Sequence, residues 1–418
     1  MNRCRRCCLW LLLLAFSRAV AVPLDLQELS GFGLDTRGGL DGRIVRVSNL
    51  NADGPGSLRA ALQEKGARVV VFEVGGVIDL QRSSLALTEP FVTIAGQTAP
   101  SPGITLIRGG LSIRTHDVRV QHIRVRPGDA GQAPRSGWAP DGISVSGADA
   151  YRVHIDHCSV SWAVDENMSI SGPRTLGPAH TARKVTISNS IIAEALDFSS
   201  HKKGRHSKGL LVHDFAGEVA IIGNLFAHNA ERNPYFKAHT TGAVVNNLIY
   251  NADNFAIQLR YQANEWRDAR FRPRNARVSA VGNLLLYGRD SNSDLALIAH
   301  QGDAYLEDNR AFDLDGEPVP ITQGVINLLK ERPVWPPGLE PLPAVAVEKH
   351  LLAHAGARPK DRDLVDRRII WDIANRRGRI IDSQEEVGGY PASEPSYRPL
   401  SIPKAVEPWL EQLAVELE

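Results

Sequence analysis

Three groups of charged residues stand out from a chain otherwise rich in Val, Ile, Leu and Asn. In "AERNPYFKAH", Arg232 and Lys237 bracket an Asn-Pro pair. Lys208 sits in "RHSKGLL". Asp141 lies in "APDGIS", and Asp165 and Glu166 are adjacent in "SWAVDENMS". A guanidinium fork and an ammonium point charge both suit the carboxylates of a polyanion. Asn233, preceding proline, is biased to extended backbone, and Pro234 fixes its own φ, so the pair forms a stiff bend able to aim Arg232. Adjacent carboxylates with no cation beside them in sequence suit a hard, oxygen-liking ion, and outside a cell that ion is Ca²⁺. Blander readings stand beside these: a surface ion-pair face for the cations, and solvated loop or strand-end residues for Asp165 and Glu166. His154, His157, His201, His206 and His213 lack the spacing of a zinc site and read as structural.

Residues so far apart in sequence form one site only if the intervening chain returns them to one face. The repeats suggest how. Short β-branched or apolar runs start at Val92, Val118, Val153, Val185, Val219, Ala243, Val278 and Ala304, about 24 to 35 residues apart. That period suits the turns of a large β-solenoid, with longer turns carrying looped-out insertions. Asn189, Asn224, Asn247, Asn283 and Asn309 follow the run starts at similar offsets. Asn tolerates the left-handed backbone of a sharp bend, and stacked turns would align the amides in a ladder. Helical patterns are nearly absent between residues 85 and 310, which disfavours a doubly wound α/β fold. Hairpin turns and blade repeats, the marks of a sandwich or propeller, are missing too.

A stack needs covered ends. Residues 57–66, "SLRAALQEKG", predict a short helix with Ser57 as N-cap and Gly66 just past its end, acting as the N-terminal plug. After about residue 312 the chain becomes proline-rich, with short helices expected at "ITQGVINLLKE", "AVEKHLLAHAG" and "RDLVDRRIIWDIANRRG". The expected organisation is a β-solenoid over 22–311 and an irregular, partly helical extension over 312–418 that packs outside the stack and covers its far end.

Residues 1–21 read as a secretory signal peptide: a basic start "MNRCRRCC", an apolar "LWLLLLAF", and a small-x-small site at Ala19 to Ala21. Its removal would leave Cys158 as the single cysteine, so no internal disulfide is expected. Cys158, in the alternating "IDHCSVSW", reads as core. Lys and Arg total 48 against 47 Asp and Glu, so no basic excess points to nucleic acid. No later apolar run suggests a membrane span. The expectation is a secreted monomer, extracellular or periplasmic.

With these residues in view, the chain resembles the pectate lyases of polysaccharide lyase family 1. The motifs are "GFG…TRGG", "NLNADGPGSLRAAL", "TIAGQTAPSPGI", "RVRPGD", "HIDHCSVSWAVDE", "HSKG", "NLFAHNAERNP" and the tail "DRDLVDRRI…GRIIDSQEEVGGYP", spanning about Gly31 to Pro391. The resemblance implies an all-β, right-handed parallel β-helix and Ca²⁺-assisted β-elimination of α-1,4-polygalacturonate. It implies Arg232 as the base that takes the C5 proton, in an R-x-P-x-x-[RK] run completed by Pro234 and Lys237. Lys208, and Lys237 as a uronate clamp, would hold substrate carboxylates. Asp141 and Asp165 match acidic metal ligands, with Glu166 as a third. Two positions depart from the pattern: Ala139 and Ser169 stand where many or some members carry aspartate. Competing readings are a lyase for methylated pectin or another uronate polymer, and a non-catalytic polysaccharide-binding β-helix. Methyl esters remove the charge these cations would read. A hydrolase would need paired catalytic acids on neighbouring turns.

Overall fold

A computed structural model describes Leu26 and residues 29–267 and 269–418. The expected signal peptide lies outside the described residues. The chain coils into a parallel β-helix with three strand ladders, one strand per ladder per turn. The first ladder opens with Arg43–Val47, Arg68–Phe72 and Val92–Ala95 and runs to Arg277–Val281. The second runs from Val74–Asp79 to Arg310–Phe312. The third starts at Leu85–Leu87 and passes through Ile143–Ser146, Glu166–Ser171, Lys208–Val212, Tyr235–Phe236 and Ile257–Leu259. A long strand, Ile298–Glu307, then pairs with the third ladder through its first residues and with the first through its last.

Register explains the repeats. Val92, Val118, Val153, Val185 and Val219 stack one above another, and so do Ile94, Val120, Ile155, Ile187 and Ile221. All ten are buried in one continuous core. Each strand thus supplies inward residues at the period-2 spacing, and stacking identical shapes fills the interior without a second layer. Cys158 is a buried free thiol, as expected, and burial raises it to about 12.

The asparagine ladder forms, with one correction. Asn224 donates to Asn247 Oδ1 at 3.1 Å, Asn247 to Asn283 at 3.0 Å and Asn283 to Asn309 at 2.9 Å. These four do not occupy the left-handed conformation. That falls one residue earlier, on Gly223, Asn246, Gly282 and Asp308. Asn189 belongs to this corner set, with φ 49°, and Ser190 takes the place in the ladder, its N–H donating to Asn224 Oδ1 at 3.0 Å. The bend and the amide stack are therefore separate duties of neighbouring residues.

Helix α1, Leu58–Gln63, is capped by Ser57, whose side chain accepts from the Ala60 N–H, and buries Leu58, Ala61 and Leu62 against the first turns. It stops short of Gly66. The helix expected at 321–331 is a strand instead, Thr322–Leu328, parallel to Ile298–Ala304. Gly324 decides it: its φ is 87°, and a Cβ there would lie 2.4 Å from the His300 carbonyl oxygen. The preceding long strand offers a free ladder edge, and β-branched Thr322, Val325 and Ile326 suit it. The stack therefore continues past residue 311.

Two of the expected tail helices form as α2, Ala344–His354, and α3, Leu364–Ala374; a third, α4, Val406–Leu417, was not foreseen. Val347, Leu351, Val365, Ile369 and Ile373 from α2 and α3 pack on the outer face of the second ladder. Leu410 of α4 packs on Val69, Val71 and Ala95 near the N-terminal turns. The tail thus lies outside the stack but leaves its far end open: Val325 and Leu328 are each 67% exposed.

Candidate active site

The third ladder positions the site. Its strand Glu166–Ser171 aligns Glu166 with Lys208 on the next turn, and Lys208 with Glu231 on the turn after that. On the preceding turn, Asp141 Oδ1 accepts from the Glu166 N–H at 3.3 Å. A row of charged residues results: Asp141 and Glu166, then Lys208, then Glu231. Arg232, next to Glu231, reaches back so that its guanidinium pairs with Glu166, while Lys208 pairs with Glu231. Arg232 has φ 66°, its N–H donates to Gln258 Oε1 at 2.8 Å, and its guanidinium carbon lies 5.5 Å from the Tyr235 ring. The Asn233–Pro234 peptide beside it is cis.

Oxygens of Asp141, Asp165 and Glu166 all lie within 4.8 Å of one another. Asp141 is held by the Ser169 hydroxyl, which donates to Oδ2 at 2.7 Å. Ser169 therefore orients an acid where an aspartate would add one. Asp165 Oδ1 accepts from His206 Nε2 at 2.7 Å, with His201 Nε2 at 3.9 Å and the two imidazoles stacked at 3.8 Å. His201 Nδ1 accepts from the Lys203 N–H, so its Nε2 carries the proton and points an N–H toward Asp165. Ala139 supplies no ligand and packs beside Trp138.

The electrostatics follow from burial. Burial raises the Asp141 carboxyl above its ordinary range; the Ser169 hydrogen bond opposes this and the Asp165 charge adds to it. Burial also raises Asp165, but the His206 hydrogen bond and the two imidazoles outweigh it and leave it lowered. Burial lowers Arg232 and brings Lys208 down to about 8. Three crowded carboxylates, one of them pushed up, are a donor set that a hard divalent cation relieves, so the residues present fit Ca²⁺.

Of the residues singled out in the sequence, Asp141, Asp165, Glu166, Lys208 and Arg232 meet in this row. Lys237 lies farther along, its Nζ 2.6 Å from Glu265 Oε2 and 3.7 Å from Asp214 Oδ2, in a nest shared with Arg174. Glu231, Glu265 and Asp214, the acids that hold the cations, are not singled out by the sequence, and His201 and His206, read there as structural, stand instead against Asp165 in the site. Aligning successive turns residue by residue would have revealed Glu231, which falls opposite Lys208.

A coil of three parallel ladders with this charged row on one of them defines a β-helix of the polysaccharide-lyase kind. No family model matches the chain. It is 32% identical over 371 residues to the probable pectate lyase C of Aspergillus flavus, covering 86% of this chain and 80% of that one. It is 30% identical over 389 residues to the probable pectate lyase C of Neosartorya fischeri, covering 90% and 84%. The fold also matches a pectate lyase bound to a hexasaccharide, with a TM-score of 0.53 at 12% identity over 80% of this chain and 98% of that one. It matches the cedar pollen allergen jun a 1 at 0.57 and 18%, over 78% and 92%. The chain belongs to the pectate lyases of polysaccharide lyase family 1, and is an enzyme of that class.

Proposed function

We propose that the chain cleaves polygalacturonate by β-elimination in the groove along the third ladder, with Arg232 as the base. The reading is supported above all by one observation: Arg232, Lys208 and three carboxylates from four turns share a single row. In the reaction the C5–H bond breaks, its electron pair forms the C4–C5 double bond, the C4–O bond breaks, and the departing oxygen takes a proton. The C5 proton is only weakly acidic, being α to a carboxylate. Ca²⁺ held by Asp141, Asp165 and Glu166 would, when bound, withdraw charge from that substrate carboxylate.

The residues themselves do the rest. Arg232 must leave Glu166 and present a nitrogen to C5. A guanidinium is ordinarily a permanent cation, and burial lowers Arg232 toward the neutral form a base requires. Lys208 exchanges Glu231 for a substrate carboxylate, and Lys237 clamps a second uronate in place of Glu265. The carbohydrate chemistry implied is an unesterified acidic polymer outside the cytoplasm, consistent with an exported monomer. No helix among the described residues is long and apolar enough to cross a membrane.

The test is product identity. Wild-type protein incubated with polygalacturonate and Ca²⁺ is expected to give oligomers absorbing in the ultraviolet through a C4–C5 double bond, with loss of the signal in chelator. Saturated products, or intact polymer that still binds, would overturn the reading.

A further inference from the structure

The left-handed corner that leads from the first ladder into the second carries a histidine on two successive turns, His122 with φ 56° and His157 with φ 45°. Their rings stack, with centroids 5.2 Å apart and planes 10° apart. His122 is wholly buried. Its Nδ1 lies 2.8 Å from the Ala357 carbonyl oxygen, which only accepts, so Nδ1 carries the proton and Nε2 holds a lone pair. Burial first, and then His157, lower His122 to about 3, so the ring is neutral. Among the described residues, nothing donates to that buried Nε2. An unmatched buried acceptor of this kind is unfavourable unless something fills it.

What Nε2 faces is a set of further donors. It lies 3.8 Å from Glu418 Oε1. His157 Nδ1 lies 3.4 Å from the same oxygen and 3.0 Å from Asp156 Oδ2. Asp156 Oδ1 is already occupied by the Ser188 hydroxyl at 2.6 Å and Asn189 Nδ2 at 3.0 Å, which turns Oδ2 toward the histidines. Donors about 2.0–2.2 Å from a tetrahedral ion stand roughly 3.3–3.6 Å from one another, and the 3.4 and 3.8 Å separations to Glu418 Oε1 lie close to that range.

We propose that His122 Nε2, His157 Nδ1 and Glu418 Oε1 form a site for a Zn²⁺-class ion. Imidazole nitrogens exclude Ca²⁺ and Mg²⁺, which take oxygen ligands, and mixed imidazole and carboxylate suits zinc. The Ala357 carbonyl fixes the His122 tautomer, the outer support that a ligating imidazole needs. The ion displaces the His157 Nδ1 proton, which passes to solvent. It joins two turns of the coil to the end of α4, a helix that also packs through Leu410. The site lies at a different corner from the groove and uses none of its residues.

The test is titration of the chelator-treated, dialysed full chain with zinc chloride, alone and with Ca²⁺ present. The expected result is one Zn²⁺ per chain whose affinity Ca²⁺ leaves unchanged, and visible bands of tetrahedral geometry when Co²⁺ replaces it. Glu418→Gln and His157→Gln are each expected to weaken binding about 10-fold or more, whereas His206→Ala leaves it intact. Glu418 is partly exposed, so its substitution tests the site even where a His122 variant fails to fold. Thermal unfolding provides a second reading: Zn²⁺ raises the midpoint of the wild type and not of Glu418→Gln. Absence of stoichiometric binding, equal affinity in the Glu418 and His157 variants, or loss of binding in His206→Ala would each overturn the proposal.

Discussion

Two of the places where arginines face carboxylates, one under α3 and one in the groove, differ in how completely they are closed. Under α3, Arg126 pairs with both oxygens of Asp363, at 2.5 and 3.1 Å, and with Asp366 at 2.8 Å, while Arg124 reaches Asp366 at 3.2 Å. Arg124, Arg126 and Asp366 have essentially no exposed side chain. Asp363 also caps α3, accepting from the Asp366 N–H. In the groove, Arg232 meets Glu166 through one nitrogen, and its side chain is 19% exposed. The first arrangement is a clamp that holds the tail helix to the coil. The second is the set of contacts that, in the proposed function, a substrate carboxylate replaces. The number of carboxylate contacts and the degree of burial, not residue type, separate the two.

The largest expected effect lies in the clamp. Asp366→Ala leaves two buried guanidinium groups short of a partner and should cost about 3–5 kcal/mol, read as a lower denaturation midpoint. Activity per folded molecule should hold, which would confirm that the clamp has no part in the chemistry. Acid should act on the same place. Burial raises Asp363, but Arg126 and Arg124 outweigh it and hold the carboxyl below its ordinary range. Its contribution is therefore present above about pH 4 and lost as pH falls below that. A Asp363→Asn variant should show a shallower loss of stability in that window, measured by unfolding at a series of pH values.

The groove variants should show the reverse pattern. Lys208→Ala is expected to raise KM for trigalacturonate roughly 10-fold, about 1.4 kcal/mol, with a smaller change in stability. The smallest effect is expected for Glu231→Gln. The pair it forms with Lys208 is partly solvated, so stability should fall by less than about 1 kcal/mol. Freed of its internal competitor, Lys208 should bind substrate no worse. A stability loss as large as that of Asp366→Ala would mean the groove pairs are structural and would erase the distinction.

Much of this contrast was legible before the structure, but unevenly. The valine and isoleucine runs announce the stack because each turn repeats the same inward residues. The charged residues of the groove stand out because they interrupt those runs. The carboxylates that neutralise them do not, since Glu231, Glu265 and Asp214 become partners only through register between turns. The same holds for Arg124 with Asp366, residues joined across most of the chain. Thr322–Leu328 misleads because its apolar spacing satisfies a helix, and only the free edge beside it and the conformation of Gly324 select a strand. His122 and His157 look like isolated core histidines until the turns place one above the other.

The central claim is that Arg232 is free to act on substrate whereas its counterparts under α3 are not. Steady-state cleavage of trigalacturonate by Arg232→Ala, with Ca²⁺ saturating and binding measured on the same preparation, tests it most directly. The account predicts kcat lower by roughly 10²–10⁴, with trigalacturonate affinity changed only a few-fold and folding intact. A kcat within tenfold of the wild type would contradict it and assign the proton transfer to another group.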